Sequence, residues 1–443
     1  MPKYSLWLLL FLSTAALADT SDADFNTAVD AHRYAIHVDG STLGGEGAKR
    51  ILDEGRTADF FLFGENHGAH EIAAFADALY LGTSTDGSRR LVTEIGPATA
   101  TELETMLRDG SYRSYLAEGV HLLSVPFFFW EDELPLAENV VKANPPGVPA
   151  IWGLDQEFVA GAPVVLHRLD ALATTDAERN AIASARRSAF WNPLLFGMGS
   201  DGPVKALRDA FGTSANAEAR KLTEEIELGF RLYKEQSDGG DWKWSNERRE
   251  TLMMDHFLDY VQKAGGDPGR LFFKLGAFHL MRGESPAVTE ALGLRLSRWA
   301  ADHGKKTVNV FVDCRGGELR DVVLGRAAPC DSYLDGDADV FGPHLVDSGT
   351  TLFDLRPLRD LPALKQMPKR AQRIVANYDW YIAVTNTHAS TFLPGHLATL
   401  VYGGTIAVCA LAVVVLLIAW IVRRIRRRRR ARRAEREGFR AGA

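Results

Sequence analysis

The sequence predicts an α/β protein with three layers around a mostly parallel sheet, a helical insert and a C-terminal single transmembrane helix. Three observations support this prediction. Short apolar runs that end in glycine alternate with segments of helical spacing, as expected for parallel strands and their crossover helices. Residues 162–262 show helical spacing almost throughout. Residues 397–422 form an uncharged stretch that is long enough to cross a bilayer.

The strand–helix alternation starts with the apolar run 59–63, which stops at Gly64. Residues 71–81 then carry apolar side chains at helical spacing, and residues 90–95 form a second buried run. Because parallel strands are joined by right-handed crossovers, both runs are expected in one sheet. Further strands are predicted at 149–155, 270–276, 307–312 and 380–384, and a short helix at 23–38.

The helical insert, about 162–262, is predicted from three well-patterned segments, 177–187, 217–235 and 246–261. Stretches rich in Pro, Ser and Gly separate them and are typical of breaks between helices. A block of this kind between two strands is expected to cover a sheet edge and to shape a substrate cleft.

Both ends of the chain carry membrane-targeting patterns. Residues 1–18 combine Lys3, an apolar core and an A-x-A ending, which is typical of a secretory signal peptide. The tail 423–443 follows the uncharged stretch 397–422, and its 11 Arg indicate a cytoplasmic side. These patterns predict a single-pass protein of the cell membrane, with residues 19–390 as an extracytoplasmic, periplasmic domain.

The predicted extracytoplasmic part is strongly acidic. The 51 Lys and Arg of the chain include Lys3 and the 11 Arg of the tail, and the 57 Asp and Glu include two in the tail. Residues 19–422 therefore carry 39 basic and 55 acidic residues, a net charge of about −16. This charge disfavours nucleic acid as a partner and favours a neutral or cationic substrate.

Two of the three cysteines, Cys314 and Cys330, lie in the predicted extracytoplasmic domain, and Cys409 lies in the predicted membrane stretch. In an oxidising compartment the first two are free to form one disulfide. A loop of this length makes such a bond worth roughly 3 kcal/mol in the chain-entropy view. The sequence has no C-x-x-C or Cys-His pattern, so it does not predict a structural zinc site.

Unusual polar residues follow four of the predicted strands. Two strand ends share a G-x-x-H pattern, 64–67 and 276–279, in which glycine allows the backbone to turn sharply. Because the carboxyl ends of parallel strands meet at one edge of a sheet, the residues that follow them are expected to lie together. The predicted site residues are Glu65 and His67 after the first strand, Glu94 near the end of the second, Asp155 and Glu157 after the third, and His279 after the fourth.

Imidazole and carboxylate groups at one edge suit two chemistries, and the residues alone leave both open. In the first, His67 is a general base that takes a proton from water, and Glu65 or Glu94 orients it. In the second, His67, His279 and Glu94 bind a divalent metal ion that activates the water.

Neighbouring polar residues are expected to support this site or the fold. Lys274 interrupts an apolar strand, and we interpret it as a cation of the site. Together with Asp155 and Glu157, it is predicted to contact the substrate. Structural roles are predicted for His70 and Glu71, which open a helix, and for the acids at 131–133, which are expected to be solvated.

Three motifs, LFGENHGAHE, LVTEIG and KLGAFH, resemble the erythromycin esterase-like family, which shares a superfamily with the ChaN-like haem-binding lipoproteins and the Tiki/TraB proteins. Residues 246–260 are similar to the Arg-x-x-x-Met helix of the esterases, with Arg249 and Met253 in the matching places. The resemblance covers residues 60–283. It implies His67 as the catalytic base, Glu65 and Glu94 as its carboxylate partners, His279 as the second site histidine and Arg249 as a substrate contact.

This resemblance implies a membrane-anchored extracytoplasmic hydrolase, in which water activated by His67 attacks an ester or related bond of a small-molecule or peptide substrate. Two alternatives follow from the same superfamily: a ChaN-like surface protein that binds haem or a metal ion, and a Tiki-like metal-dependent protease. Only Asn66 separates Glu65 from His67, a spacing closer to the ChaN-like and Tiki-like forms. These alternatives imply a divalent metal ion or haem as the cofactor.

Overall fold

The computed structural model describes residues 23–84, 87–118, 121, 123–237, 239–322, 325–346 and 349–393. One sheet of ten strands forms its centre. The strands are β1 (Arg33–Asp39), β2 (Thr42–Gly44), β3 (Phe60–Glu65), β4 (Arg90–Thr93), β5 (Ile151–Gly153), β6 (Leu271–Gly276), β7 (Thr307–Arg320), β8 (Ala327–Pro329), β9 (Thr350–Asp354) and β10 (Trp380–Thr387). Their order across the sheet is β2-β1-β9-β10-β7-β3-β6-β4-β5, with β8 beside β7.

The sheet is mixed, so the predicted mostly parallel sheet is wrong. The strands from β10 to β5 run parallel to one another. In contrast, β9, β1 and β2 form an antiparallel edge, and β8 pairs antiparallel with β7. The helix predicted at 23–38 ends at residue 31. The chain then enters β1 and folds back at Gly40, whose φ of 55° suits the tight turn into β2.

The predicted membrane architecture also needs correction. In the part of the chain that the structure describes, no helix combines the length and the apolar character needed to cross a bilayer. The predicted C-terminal transmembrane helix and the single-pass, cell-membrane localisation based on it are therefore not supported. The segments behind these predictions, 1–18, 397–422 and 423–443, lie outside the described residues.

Helices connect the strands and cover the sheet. They are α1 (residues 23–31), α2 (Gly45–Thr57), α3 (His70–Thr83), α4 (Pro97–Asp109), α5 (Tyr112–Ala117), α6 (Leu134–Ala143), α7 (Ala162–Leu172), α8 (Asp176–Trp191), α9 (Gly202–Phe211), α10 (Ala217–Ser237), α11 (Trp242–Lys263), α12 (Leu292–Asp302) and α13 (Lys369–Asn377). Five of these, α7 to α11, lie between β5 and β6 in the chain.

β3 shows why the central strands are apolar on both sides. Phe61 and Phe63 pack into one hydrophobic cluster, which includes Phe75 of α3. Phe60 and Leu62 point to the opposite face and pack into a second cluster with residues of α11 and α12. Since successive side chains of a strand alternate between faces, a strand covered on both sides must be apolar throughout. Polar groups are therefore confined to the strand ends.

The register of the parallel strands brings three of these ends together. Glu65 of β3 lies opposite Gly276 of β6, and Thr93 of β4 lies opposite Lys274 of β6. The residues that follow β3, β4 and β6 therefore leave the sheet side by side, at its carboxyl edge.

Candidate active site

His67 stands at this edge with a defined orientation. Its Nδ1 lies 2.9 Å from Oε1 of Glu65, and its Nε2 lies 3.3 Å from Oε2 of Glu94. The ring of Phe127 packs against the imidazole, with 4.5 Å between the ring centroids. The His67 side chain keeps 22% of its surface exposed, whereas that of Glu65 keeps 1%. A buried carboxylate thus fixes the orientation of a partly accessible imidazole through its Nδ1.

Glu94 links the two predicted histidines. Its Oε1 accepts a hydrogen bond from Nη2 of Arg249 at 2.8 Å and lies 3.3 Å from Nε2 of His279. Its Oε2 accepts a hydrogen bond from the backbone N–H of Gly276 at 2.7 Å. Glu94 therefore has a fixed position between both imidazoles.

His279 is oriented by Glu250, a residue that was not predicted from the sequence. The Nδ1 of His279 bonds Oε1 of Glu250, and Oε2 of Glu250 accepts the backbone N–H of Leu292 at the start of α12. A signal for Glu250 did exist. It stands three and seven residues before Met253 and Phe257, so an acid occupies the buried face of α11.

Lys274 lies behind the site rather than in the cleft. Its ammonium group, 6% exposed, contacts Oε1 of Glu65 at 2.6 Å and Oε2 of Glu133 at 2.8 Å. Glu133, expected to be solvated, is buried. Lys274 contacts the same Glu65 oxygen that faces His67, so it helps to fix the position of the Glu65 carboxylate.

The other residues predicted to contact the substrate also have bonding partners within the protein. Arg249 forms a two-pronged ion pair with the buried carboxylate of Asp155. Glu157 accepts hydrogen bonds from the backbone N–H of Ala98, at 2.7 Å, and from the hydroxyl of Thr99, at 2.6 Å. It therefore caps the start of α4. Burial raises the pKa of the Glu157 carboxyl to about 7 despite these hydrogen bonds.

The site is built from alternating charges. Burial disfavours the cationic form of His67, but its hydrogen bonds with Glu65 and Glu94 raise the pKa of the imidazole to about 9. Burial opposes the charge of His279 in the same way, and the charges of Glu250 and Glu94 raise its pKa to about 10. Despite its own burial, the pKa of Glu94 lies well below its usual range because of His279 and His67. Both imidazoles are therefore cationic at neutral pH in the unliganded site.

An open cleft gives access to these groups. It is lined by Glu65, Asn66, His67, Glu94, Gly276, Ala277, Phe278, His279, Leu319 and Asp331. Among the described residues, no group of three or more His, Cys, Asp or Glu side chains is arranged to hold a metal ion. Each ring nitrogen of His67 and His279 instead faces a carboxylate oxygen. The metal-binding role of these two residues and Glu94 stays a prediction.

Replacing Lys274 by methionine is expected to lower the free energy of unfolding by about 3–5 kcal/mol, because Glu65 and Glu133 would remain buried without their shared cation. Urea denaturation measures this loss. Lys49→Met is the matched control, since the Lys49–Asp53 pair is exposed and is worth at most about 1 kcal/mol. Equal losses in the two variants would show that Lys274 contributes no more than a surface lysine.

Gly276→Ala is expected to lower activity about tenfold with little change in stability. A Cβ at this position would lie 3.0 Å from Nε2 of His67 and 3.2 Å from Oε2 of Glu94, so it would displace the imidazole. The backbone at Gly276, φ −53° and ψ 137°, accommodates any residue. Gly229→Ala is the control, because its Cβ would make an ordinary 3.5 Å contact with Gln156. Unaltered activity in Gly276→Ala would argue against a tightly positioned His67.

The fold itself is shared with solved structures. No protein-family profile matches the sequence, and no curated protein does. A Bacillus cereus protein is similar over 84% of this chain and 99% of its own, with a TM-score of 0.56 and 15% sequence identity. A succinoglycan biosynthesis protein gives a TM-score of 0.53 and 12% identity over 84% of this chain and 98% of its own.

An erythromycin esterase mutant in its open conformation is also similar, with a TM-score of 0.50 and 12% identity over 78% of this chain and 94% of its own. The predicted likeness to the esterases is therefore supported at the level of the fold. Identities this low establish a common fold alone, and the residues of the site must carry any functional conclusion.

Proposed function

We propose that this chain is a hydrolase that cleaves an ester bond of a small molecule by attack of water, with His67 as the general base. One observation carries the proposal. Buried Glu65 holds Nδ1 of His67 at 2.9 Å, and Nε2, which lies 3.3 Å from Oε2 of Glu94 at the open cleft, is the nitrogen that we assign to the reactant. The fold shared with an erythromycin esterase supports an ester as the bond that is cleaved.

In the proposed reaction, neutral His67 accepts a proton from water at Nε2. The oxygen of the resulting hydroxide attacks the ester carbonyl carbon, and the carbonyl electron pair moves onto oxygen. The tetrahedral intermediate then collapses and breaks the bond to the alkoxide, which takes the proton back from Nε2 of His67. The products are one carboxylic acid and one alcohol, and the histidine returns to its neutral form.

His279 has a separate part in this proposal. It keeps its charge to a higher pH than His67, because the pKa of its imidazole is the higher of the two. A fixed imidazolium beside the cleft stabilises the negative oxygen of the intermediate. Arg249 and the N–H of Gly276 keep Glu94 in place when the substrate enters, so the two histidines keep their spacing.

Purified full-length protein incubated with p-nitrophenyl acetate, p-nitrophenyl butyrate and erythromycin tests the proposal. We expect at least one of these esters to be hydrolysed faster than in buffer. At about pH 9.5, where His67 is largely neutral in both proteins, Glu94→Gln should lower kcat/KM by about tenfold or more, since the amide no longer carries the charge that holds both imidazoles. Absence of hydrolysis for all three esters, or equal rates in wild type and Glu94→Gln, would overturn the proposal.

A further inference from the structure

One charged side chain of the cleft differs from the rest. Glu65, Glu94, His67 and His279 all have charged partners within the protein. Asp331 lines the same cleft and is exposed, and in the described part of the chain it has no hydrogen-bonding or ion-pair partner. Its charge is therefore available to a molecule that enters the cleft.

The backbone on both sides of Asp331 is anchored. Cys330 forms a disulfide with Cys314 of β7, and its N–H bonds the carbonyl of Gly317 at 2.9 Å. On the other side, the hydroxyl of buried Ser332 donates to Oδ2 of Asp313 at 2.6 Å. The position of Asp331 is thus fixed by its two neighbours, unlike that of an acid in a free loop.

An aromatic ring belongs to the same part of the cleft. Phe278 lies between Gly276 and His279 in the chain and lines the cleft with Asp331. The ring of Tyr333 packs edge-on against Phe278, with 5.0 Å between the centroids, and the Tyr333 hydroxyl accepts a hydrogen bond from Arg373 at 2.7 Å. The loop that carries Asp331 therefore also supports the Phe278 ring.

We infer that Asp331 and Phe278 form a subsite for a positively charged ammonium group of the substrate. A carboxylate attracts a cation by charge, and the face of an aromatic ring attracts it through the π electrons. The inference rests on the proposed hydrolase function and adds a substrate class to it: esters that carry an amine or a quaternary ammonium group. The acidic net charge of about −16 for residues 19–422 would draw such molecules toward the protein.

Two esters of equal shape test this subsite. They are acetylcholine and its neutral carbon isostere, in which a tert-butyl group replaces the trimethylammonium group. With acid release followed at low ionic strength, wild type is expected to show a kcat/KM about tenfold higher for the cationic ester. Asp331→Asn should bring this ratio close to one by raising KM for the cationic ester alone.

Asp335→Asn is the matched control. Asp335 is exposed on the same loop but pairs with Arg315 and does not line the cleft, so the same charge change there should leave the ratio unaltered. An equal preference for the cationic ester in wild type and Asp331→Asn would overturn the inference. So would a preference lost equally in both variants, since that result would come from net charge.

A binding measurement separates this inference from the proposed reaction. Calorimetric titration with tetramethylammonium chloride requires no ester cleavage. We expect binding to wild type that is about tenfold weaker in Asp331→Asn and in Phe278→Ala. Binding lost in these variants supports the subsite even if neither ester is hydrolysed, in which case the hydrolase proposal fails alone. Binding that is absent from wild type, or equal in all three proteins, contradicts the subsite.

Discussion

The value of kcat/KM for ester hydrolysis is expected to rise about tenfold per pH unit between about pH 6 and pH 8, and to reach a maximum between about pH 9 and pH 10, where much of His67 is neutral while His279 still carries its charge. Only neutral His67 can accept a proton from water, and Glu65 and Glu94 hold the pKa of its imidazole at about 9 in spite of burial. At pH 7 roughly one molecule in a hundred therefore has a neutral His67. A pH–rate profile, corrected for spontaneous hydrolysis, measures this dependence.

The direction of the pH dependence follows from the protonation state of His67 that reacts. A raised pKa means that the proton stays on His67 to higher pH, so activity is lost as pH falls below about 9. Glu65→Gln removes one negative charge from the Nδ1 side but keeps an oxygen that can accept the hydrogen bond. The midpoint of the pH–rate profile should then move to lower pH, while Lys274 remains paired with Glu133. A midpoint common to wild type and Glu65→Gln would show that Glu65 does not set the proton affinity of His67.

Replacing His67 by alanine is expected to lower kcat/KM by about 10²- to 10⁴-fold, which is the usual contribution of a general base. The loss should lie mainly in kcat, because the base acts in the transition state and contributes little to ground-state binding. His67→Gln is a second variant, since an amide keeps a polar contact with Glu65 but cannot take the proton. Both variants are measured with the same p-nitrophenyl ester as wild type.

His70→Ala is the control for these variants. His70 pairs with Asp132, and its side chain is 53% exposed at the start of α3. It lies three residues from His67 but does not line the cleft. We expect its kcat/KM to stay within about twofold of wild type, as for a surface change away from the site. Similar losses in His67→Ala and His70→Ala would point to disturbance of the segment rather than to loss of a base.

Much of the candidate site could be predicted because it follows from strand ends. The G-x-x-H patterns at 64–67 and 276–279 begin at the carboxyl ends of β3 and β6, which pair directly in the sheet, and Glu94 follows the next strand, β4. Periodicity and glycine placement can be recognised locally in the sequence, and the parallel pairing of the strands then places the residues at their ends close together. The residues that come from elsewhere were harder to predict: Glu133 and Glu250 reach the site only through the packing of helical segments.

The antiparallel edge of the sheet could not be predicted for a related reason. β1 pairs with β9, where Ile36 lies opposite Thr350, more than 300 positions away in the chain. No local pattern encodes that pairing. The charge state of His67 was equally hidden, because it depends on two carboxylates that approach opposite ring nitrogens. The sequence could suggest a base, but only the folded structure places the two carboxylates that raise the pKa of its imidazole to about 9.

The most direct test of the central claim compares two midpoints in wild-type protein. A nitrogen NMR titration follows the His67 imidazole from about pH 5 to pH 10, and the pH–rate profile follows ester hydrolysis over the same range. We predict that both midpoints fall at about 9, with the proton lost from Nε2 while Nδ1 keeps its hydrogen bond to Glu65. A pH–rate midpoint that differs from the His67 midpoint measured by NMR, or a His67 midpoint near the ordinary value of about 6.5, would contradict the claim.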